Sequence, residues 1–306
     1  MSQFRLIFSI LLSMVLLSSC FTGIESTPTI TEREVRRQQP KSTTEDSYLK
    51  EIEAMPSNLF IGSKLAITDP KIRIIFEQKP DMQPLNLGDT LTLTSIEETT
   101  SFDGQKLALL NLTGTKCAKY IYRLSVSPTE FKLNPDISIP FTVNLNKVDA
   151  VREKMLGNKY YILTASHYDS TDNAVTGRKF IPVTVNKVVA GNEYYPIRLE
   201  LTDDNGKHIR IYMSVDAESI MPRRFTTLFS LTDPHMRYPN ITNEIWELIT
   251  NGRVMQGMTT DECRLSLGMP DNIDRRPGYS MIHEIWTYNN GRMLIFEDGI
   301  LQSFRQ

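Results

Sequence analysis

The chain has 306 residues, with 34 Lys and Arg against 36 Asp and Glu, and a pI near 6.1. That balance leaves no electrostatic footprint for nucleic acid. The length suits two or three small domains, and three cysteines, Cys20, Cys117 and Cys263, are too few and too dispersed for a disulfide scaffold. A Cys117–Cys263 bridge would need Cα atoms within about 7 Å, which sequence spacing does not decide.

The chain opens with Arg5, an apolar run from Leu6 to Leu17, and Ser18-Ser19-Cys20. The run is shorter than the roughly 20 apolar residues a spanning helix needs, so residues 1–19 read as a signal peptide. Leu17-Ser18-Ser19-Cys20 resembles the bacterial lipobox, which implies cleavage and acylation at Cys20, palmitate included. Each buried methylene contributes about 0.8 kcal/mol, so more than one acyl chain makes a stable anchor. Phe21 stands where an inner-membrane retention signal would place Asp, and no acidic cluster follows. The expected location is the outer membrane, on its periplasmic face in preference to the cell surface. Residues 20–58 form a lipidated tether. Its stretch 21–44 is too poor in large apolar side chains to fold and would reach roughly 25–30 Å as a coil. Glu45 to Met55 predicts a short helix before Pro56.

From Leu59 to Leu231 the pattern is alternation. Runs beginning at Thr90, Lys106, Tyr120, Tyr160, Phe180, Ile197 and His208 are bounded by Gly, Asn, Asp or Pro and predict antiparallel strands. Asp204-Asn205-Gly206 predicts a hairpin turn. The body is an antiparallel β-barrel or sandwich, divided here into β-rich modules at 59–150 and 151–235. Gly88-Asp-Thr-Leu-Thr-Leu and Gly157-Asn-Lys-Tyr-Tyr-Ile each open a run leading to a hairpin. Two SH3-like modules would explain this loose repeat, and one irregular sandwich is the alternative.

His167, Asp169, Ser170 and Asp172 lack the spacing of an EF-hand loop and read as a polar turn between strands. His208, His235 and His283 are isolated. No nucleophile elbow, zinc-helix motif or phosphate loop occurs, so no catalytic residue, metal site or cofactor is assigned.

In the C-terminal GMTTDECRLSLGMPD, Thr259 and Glu262 have capping-box spacing, Asp261 suits the first helical turn, and Gly268 with Pro270 ends the helix. Asp261 and Glu262 thus read as helix chemistry, and Cys263 as a buried thiol. Ile241 to Ile249, with Trp246, gives a preceding helix. Glu284 to Tyr288, Arg292 to Phe296 and Ile300 to Phe304, joined at Asn290-Gly291 and Asp298-Gly299, give a three-stranded meander. The order is α+β, ααβββ, over 240–306. Gly257-Met258-Thr259, Leu267-Gly268-Met269-Pro270, Trp286-Thr287-Tyr288, Leu294-Ile295-Phe296 and Gly299-Ile300-Leu301 resemble the SmpA/OmlA (BamE-like) domain of outer-membrane lipoproteins. The resemblance implies a fold and no catalytic set.

The expectation is a non-enzymatic, lipid-anchored envelope protein that binds or scaffolds an envelope protein partner, in outer-membrane assembly or maintenance. A second reading is a cell-wall or glycan binder using Tyr160, Tyr161, Tyr194 and Tyr195, and a third is a hydrolase with dispersed groups. The stretch NIDRRPGYSMI, 272 to 282, reads as a loop presenting Arg275, Arg276 and Tyr279 to the partner, since Arg and Tyr dominate protein interfaces.

Overall fold

The structure, a computed structural model, describes residues 44–305 except Ser57, 79–81, 135–136, 216–222 and 278–281. Cys20, the signal peptide, most of the tether and Tyr279 therefore lie outside the described residues. The architecture is β-rich, with three antiparallel sheets and few helices. Among the described residues no helix is long and apolar enough to cross a membrane.

Two short helices, α1 (Thr44–Ser47) and α2 (Lys50–Glu53), replace the single helix expected here. The first sheet follows, with β1 (Lys64–Ile67), β2 (Thr90–Thr100), β3 (Lys106–Thr113), β4 (Lys119–Leu124) and, after α3 (Pro128–Leu133), β5 (Thr142–Asn144). Its spatial order is β4-β3-β2-β1-β5. Alternation puts Leu91, Leu93, Leu110, Leu112 and Tyr120 on one face, where they form a core with Ile72, Phe76 and Phe131.

A helix missed by the alternation reading, α4 (Leu145–Met155), comes next. Asn144 caps it by accepting from the Asn146 amide at 3.0 Å. Val148, Val151 and Met155, at helical spacing, are buried against the second sheet. The module boundary set at 150 therefore falls inside a helix. The period-2 signal on both sides concealed one short period-3.6 segment between them.

The second sheet comprises β6 (Lys159–Ile162), β7 (Ser166–Tyr168), β8 (Ala174–Thr176), β9 (Ile181–Ala190), β10 (Ile197–Asp203), β11 (His208–Met213) and, after α5 (Phe225–Leu228), β12 (Phe229–Ser230). Its order is β12-β6-β9-β10-β11-β7-β8. Setting the β7–β8 hairpin aside, the five remaining strands repeat the connectivity of the first sheet: fifth, first, second, third, fourth. In both sheets, moreover, the link between first and second strands crosses to the far edge and meets the fourth strand. Phe76 bridges Tyr122 in one, and Tyr168 pairs with Arg210 in the other.

The N-terminal helices complete the second core. Leu49 and Ile52 enter it, the Tyr48 and Tyr160 hydroxyls lie 2.6 Å apart, and Glu45 accepts from the Leu231 amide and from Arg237, each at 3.1 Å. Burial alone would raise the Glu45 carboxyl, but the Ser230 hydroxyl, the Leu231 amide and Arg237 outweigh it and hold it below its ordinary value.

The last layer has α6 (Asn243–Thr250) and α7 (Thr260–Leu267) on one face of a sheet of β13 (Asn272–Pro277), β14 (Ile282–Thr287), β15 (Met293–Glu297) and β16 (Ile300–Arg305). The sheet has four strands in sequence order, where three were expected. Its core contains Trp246, Ile249, Cys263, Trp286, Leu294, Phe296 and Leu301. The second sheet adjoins it through the Lys179 amide, which donates to the Thr250 carbonyl at 3.0 Å, and through Phe180, stacked on Trp246 at 5.5 Å.

Candidate functional site

The capping chemistry read from Thr259 and Glu262 is present on both sides. The Glu262 amide donates to the Thr259 hydroxyl at 3.3 Å, and the Glu262 carboxylate accepts from the Thr259 amide at 2.7 Å. Gly268 ends the helix at φ +87°, a region closed to most L side chains, and Pro270 follows. Gly257, at φ +93°, donates its amide to the Leu301 carbonyl, and the Thr260 amide donates to the Gly299 carbonyl. These bonds fasten the start of α7 to β16. Tyr288 donates to the Gly268 carbonyl at 3.2 Å, and burial pushes its phenol up to about 12. The Trp286 and Phe296 rings meet at 4.6 Å beneath the helices. These turn, cap and core residues thus hold the layer together.

Cys263 is fully buried. Burial, with Glu262 nearby, pushes its thiol up to about 12, which removes the thiolate a nucleophile requires. It is free, as is the exposed Cys117. His167 is buried, with Nε2 2.9 Å from the Thr164 carbonyl; burial lowers its pKa. His235 stacks on Trp246 at 4.4 Å. No group of three His, Cys, Asp or Glu able to hold a metal occurs among the described residues.

Of the expected arginine loop, residues Asn272–Pro277 form a strand. Asn272–Pro277 pairs with β14 in register from Asn272 opposite Thr287 to Pro277 opposite Ile282. Only Ile273 in this run is large and apolar, so an edge strand that buries little leaves no hydrophobic alternation to detect. Arg275 reaches Glu284 at 2.6 Å and Arg276 reaches Asp274 at 2.6 Å. The two arginines are tied down, and with Pro277 they give an exposed sheet edge the charges and the missing donor that discourage pairing with another chain.

The four tyrosines Tyr160, Tyr161, Tyr194 and Tyr195 do not form one cluster. Tyr160 is buried opposite Val183, whereas Tyr194 and Tyr195 lie in the turn beyond Ala190. Seven residues of β9 at about 3.3 Å each separate the two pairs by roughly 23 Å.

What does gather is a groove of about 670 Å³ between residues 237–241 and α7, lined by Arg237, Tyr238, Ile241, Asp261, Arg264 and Leu265. Pro239 shapes its rim and also borders an adjoining hollow of about 520 Å³, which Met236 lines. Arg264 lies 5.0 Å from the Trp286 ring and 2.9 Å from Asp261, so its position is set from below and beside. Arg237 is held by Glu45. Capping arithmetic explained Asp261 and Glu262 from sequence. It did not show that RYPNI, 237 to 241, would stand opposite them, because that apposition is tertiary; the only available signal was Tyr238-Pro239, a turn with an aromatic. Compared with models of known protein families, with curated proteins and with solved structures, the chain matches none.

Proposed function

We propose that the protein is a lipid-anchored envelope lipoprotein that captures another envelope protein without chemistry of its own, and that the groove beside α7 is the capture surface. One observation carries this reading. The groove combines two braced arginines and a tyrosine with the apolar Ile241 and Leu265, and such a mixture of flat, directional and apolar contacts suits an extended protein segment. The two β-rich modules, read as SH3-like, serve as the spacer and scaffold, and the C-terminal layer serves as a BamE-like module with one strand more than the resemblance implied. Acylation at Cys20 holds the chain at the outer membrane, on its periplasmic face.

The test is a pull-down of the lipidated full chain from crosslinked envelopes. A defined protein should be retained, and Tyr238→Ala with Arg264→Ala should lose it. Retention of glycan in place of protein would contradict the proposal. Cys20→Ala should leave the membrane fraction; a mature, cleaved Cys20→Ala protein still in membranes would remove the anchor from the account.

A further inference from the structure

The N-terminal helices reach the wall of the capture groove through one side chain. The Glu45 carboxylate, 16% exposed, accepts from three donors, all within residues 230–237: the Ser230 hydroxyl at 2.5 Å, the Leu231 amide at 3.1 Å, and Arg237 Nη2 at 3.1 Å from each carboxylate oxygen. Arg237 Nη2 also donates to the Ser230 hydroxyl at 3.3 Å, so the three side chains close a triangle. Among the described residues Glu45 is the one ion-pair partner of Arg237.

The groove wall is therefore fixed differently at its two ends. At the far end His235 stacks on Trp246 at 4.4 Å, and its Nε2 lies 3.0 Å from the Ile241 carbonyl. That end belongs to the core of the C-terminal layer. Between the ends, the Tyr238 amide donates to the His235 carbonyl at 2.9 Å and the Ile241 amide to the Tyr238 carbonyl at 3.0 Å, which shapes the turn without attaching it to the body. The near end, Arg237, is held through Glu45.

The element that carries Glu45 has little of its own to keep it in place. α1 and α2 are four residues each, well below the length at which a helix persists alone, and no side chain caps α2. Their purchase is tertiary. The Tyr48 ring meets Phe225 at 4.6 Å, and Leu49 and Ile52 are buried. Elements held by a few side chains open at lower free energy than the sheets they rest on. This segment also follows the tether directly in sequence, so it is the first folded element to feel a load applied at Cys20.

We propose that α1 and α2 form a strap that sets the capture groove: docked, Glu45 holds Arg237 and the start of RYPNI in the capture geometry, and a pull on the tether that lifts the strap slackens that wall. Capture is on when the anchor is slack and off under load. This rests on the capture-groove reading and adds its regulation.

Hydrogen exchange read by mass spectrometry on the full-length protein in detergent tests the coupling without a partner. Glu45→Gln keeps acceptors for Ser230 and Leu231 and removes the charge opposite Arg237, whereas Leu49→Ala loosens the strap and leaves Glu45 in place. Both should speed exchange over 236–241 several-fold and leave α7, on the opposite wall, unchanged. Unchanged exchange over 236–241 in Glu45→Gln would overturn the proposal. So would acceleration spread evenly through the second sheet, because the strap would then be an ordinary part of that core. In cells, the adduct from a photoreactive residue at position 238 should fall in Glu45→Gln, and an undiminished adduct would overturn the proposal as well. Absence of any adduct with the strap intact would remove the capture reading instead, and the exchange result shows which of the two has failed.

Discussion

Arg275 stands directly across from Glu284 in the β13–β14 register, and the two close to 2.6 Å with the carboxylate side chain 9% exposed and the guanidinium 66% exposed. The other Glu284 oxygen accepts from the Trp286 indole at 3.1 Å. A surface arginine thereby completes the hydrogen bonding of a buried carboxylate that in turn orients the central tryptophan of the C-terminal layer. Arg275→Ala should cost about 1–2 kcal/mol, since it leaves a buried acceptor short of its charged partner. Arg276→Ala, whose partner Asp274 is on the surface, should leave the unfolding midpoint within error. Equilibrium denaturation of both variants checks the asymmetry; equal midpoints would make the Glu284 contact incidental.

The same layer predicts a graded series. Trp286→Ala removes a fully buried ring and should cost about 3–5 kcal/mol, while Glu262→Ala removes one side of the capping box and should cost about 1 kcal/mol. Urea titrations of the two variants give the comparison directly.

The cysteines provide a probe of folding. Cys117 is exposed and should react with an aromatic disulfide reagent at pH 8 at once. Cys263, buried and pushed up to about 12, should stay silent until denaturant opens the core. In the protein acylated at Cys20, one fast thiol and one protected thiol are expected; two fast thiols would place Cys263 at the surface.

His167 predicts a pH dependence with a definite sign. Burial lowers its pKa below the ordinary 6.5, so between the folded and unfolded values the unfolded chain binds the extra proton. Stability is complete above about pH 6.5 and falls as the pH drops toward the lower, folded value. His167→Gln should flatten that part of the profile. A Cβ on Gly177 would stand 2.1 Å from His167 Nδ1, so Gly177→Ala should destabilise the β7–β8 hairpin, as measured by thermal midpoint across the same pH range.

Period-2 runs such as 90–94 and 197–201 were legible as strands because each buries one face, and the α7 cap was legible because Thr259 and Glu262 act within one turn. The strand at 272–277 was not, since an edge strand held by ion pairs has no hydrophobic period. The helix at 145–155 was legible in principle, through Asn144 followed by Val148, Val151 and Met155, but it lies between stronger strand signals. The shared connectivity of the first two sheets was visible only as two loosely similar openings, because their crossing links, 68–89 and 163–180, have nothing in common in sequence. The groove was hidden because its two walls are about 20 residues apart and neither is unusual alone.

The most direct test of the capture groove is site-specific photo-crosslinking in intact cells, with a photoreactive phenylalanine analogue placed at Tyr238 in one strain and at Arg276 in another. The account predicts a single defined protein adduct from position 238 and none from position 276. An adduct from 276 with none from 238 would move the interface to the β13 edge and contradict it.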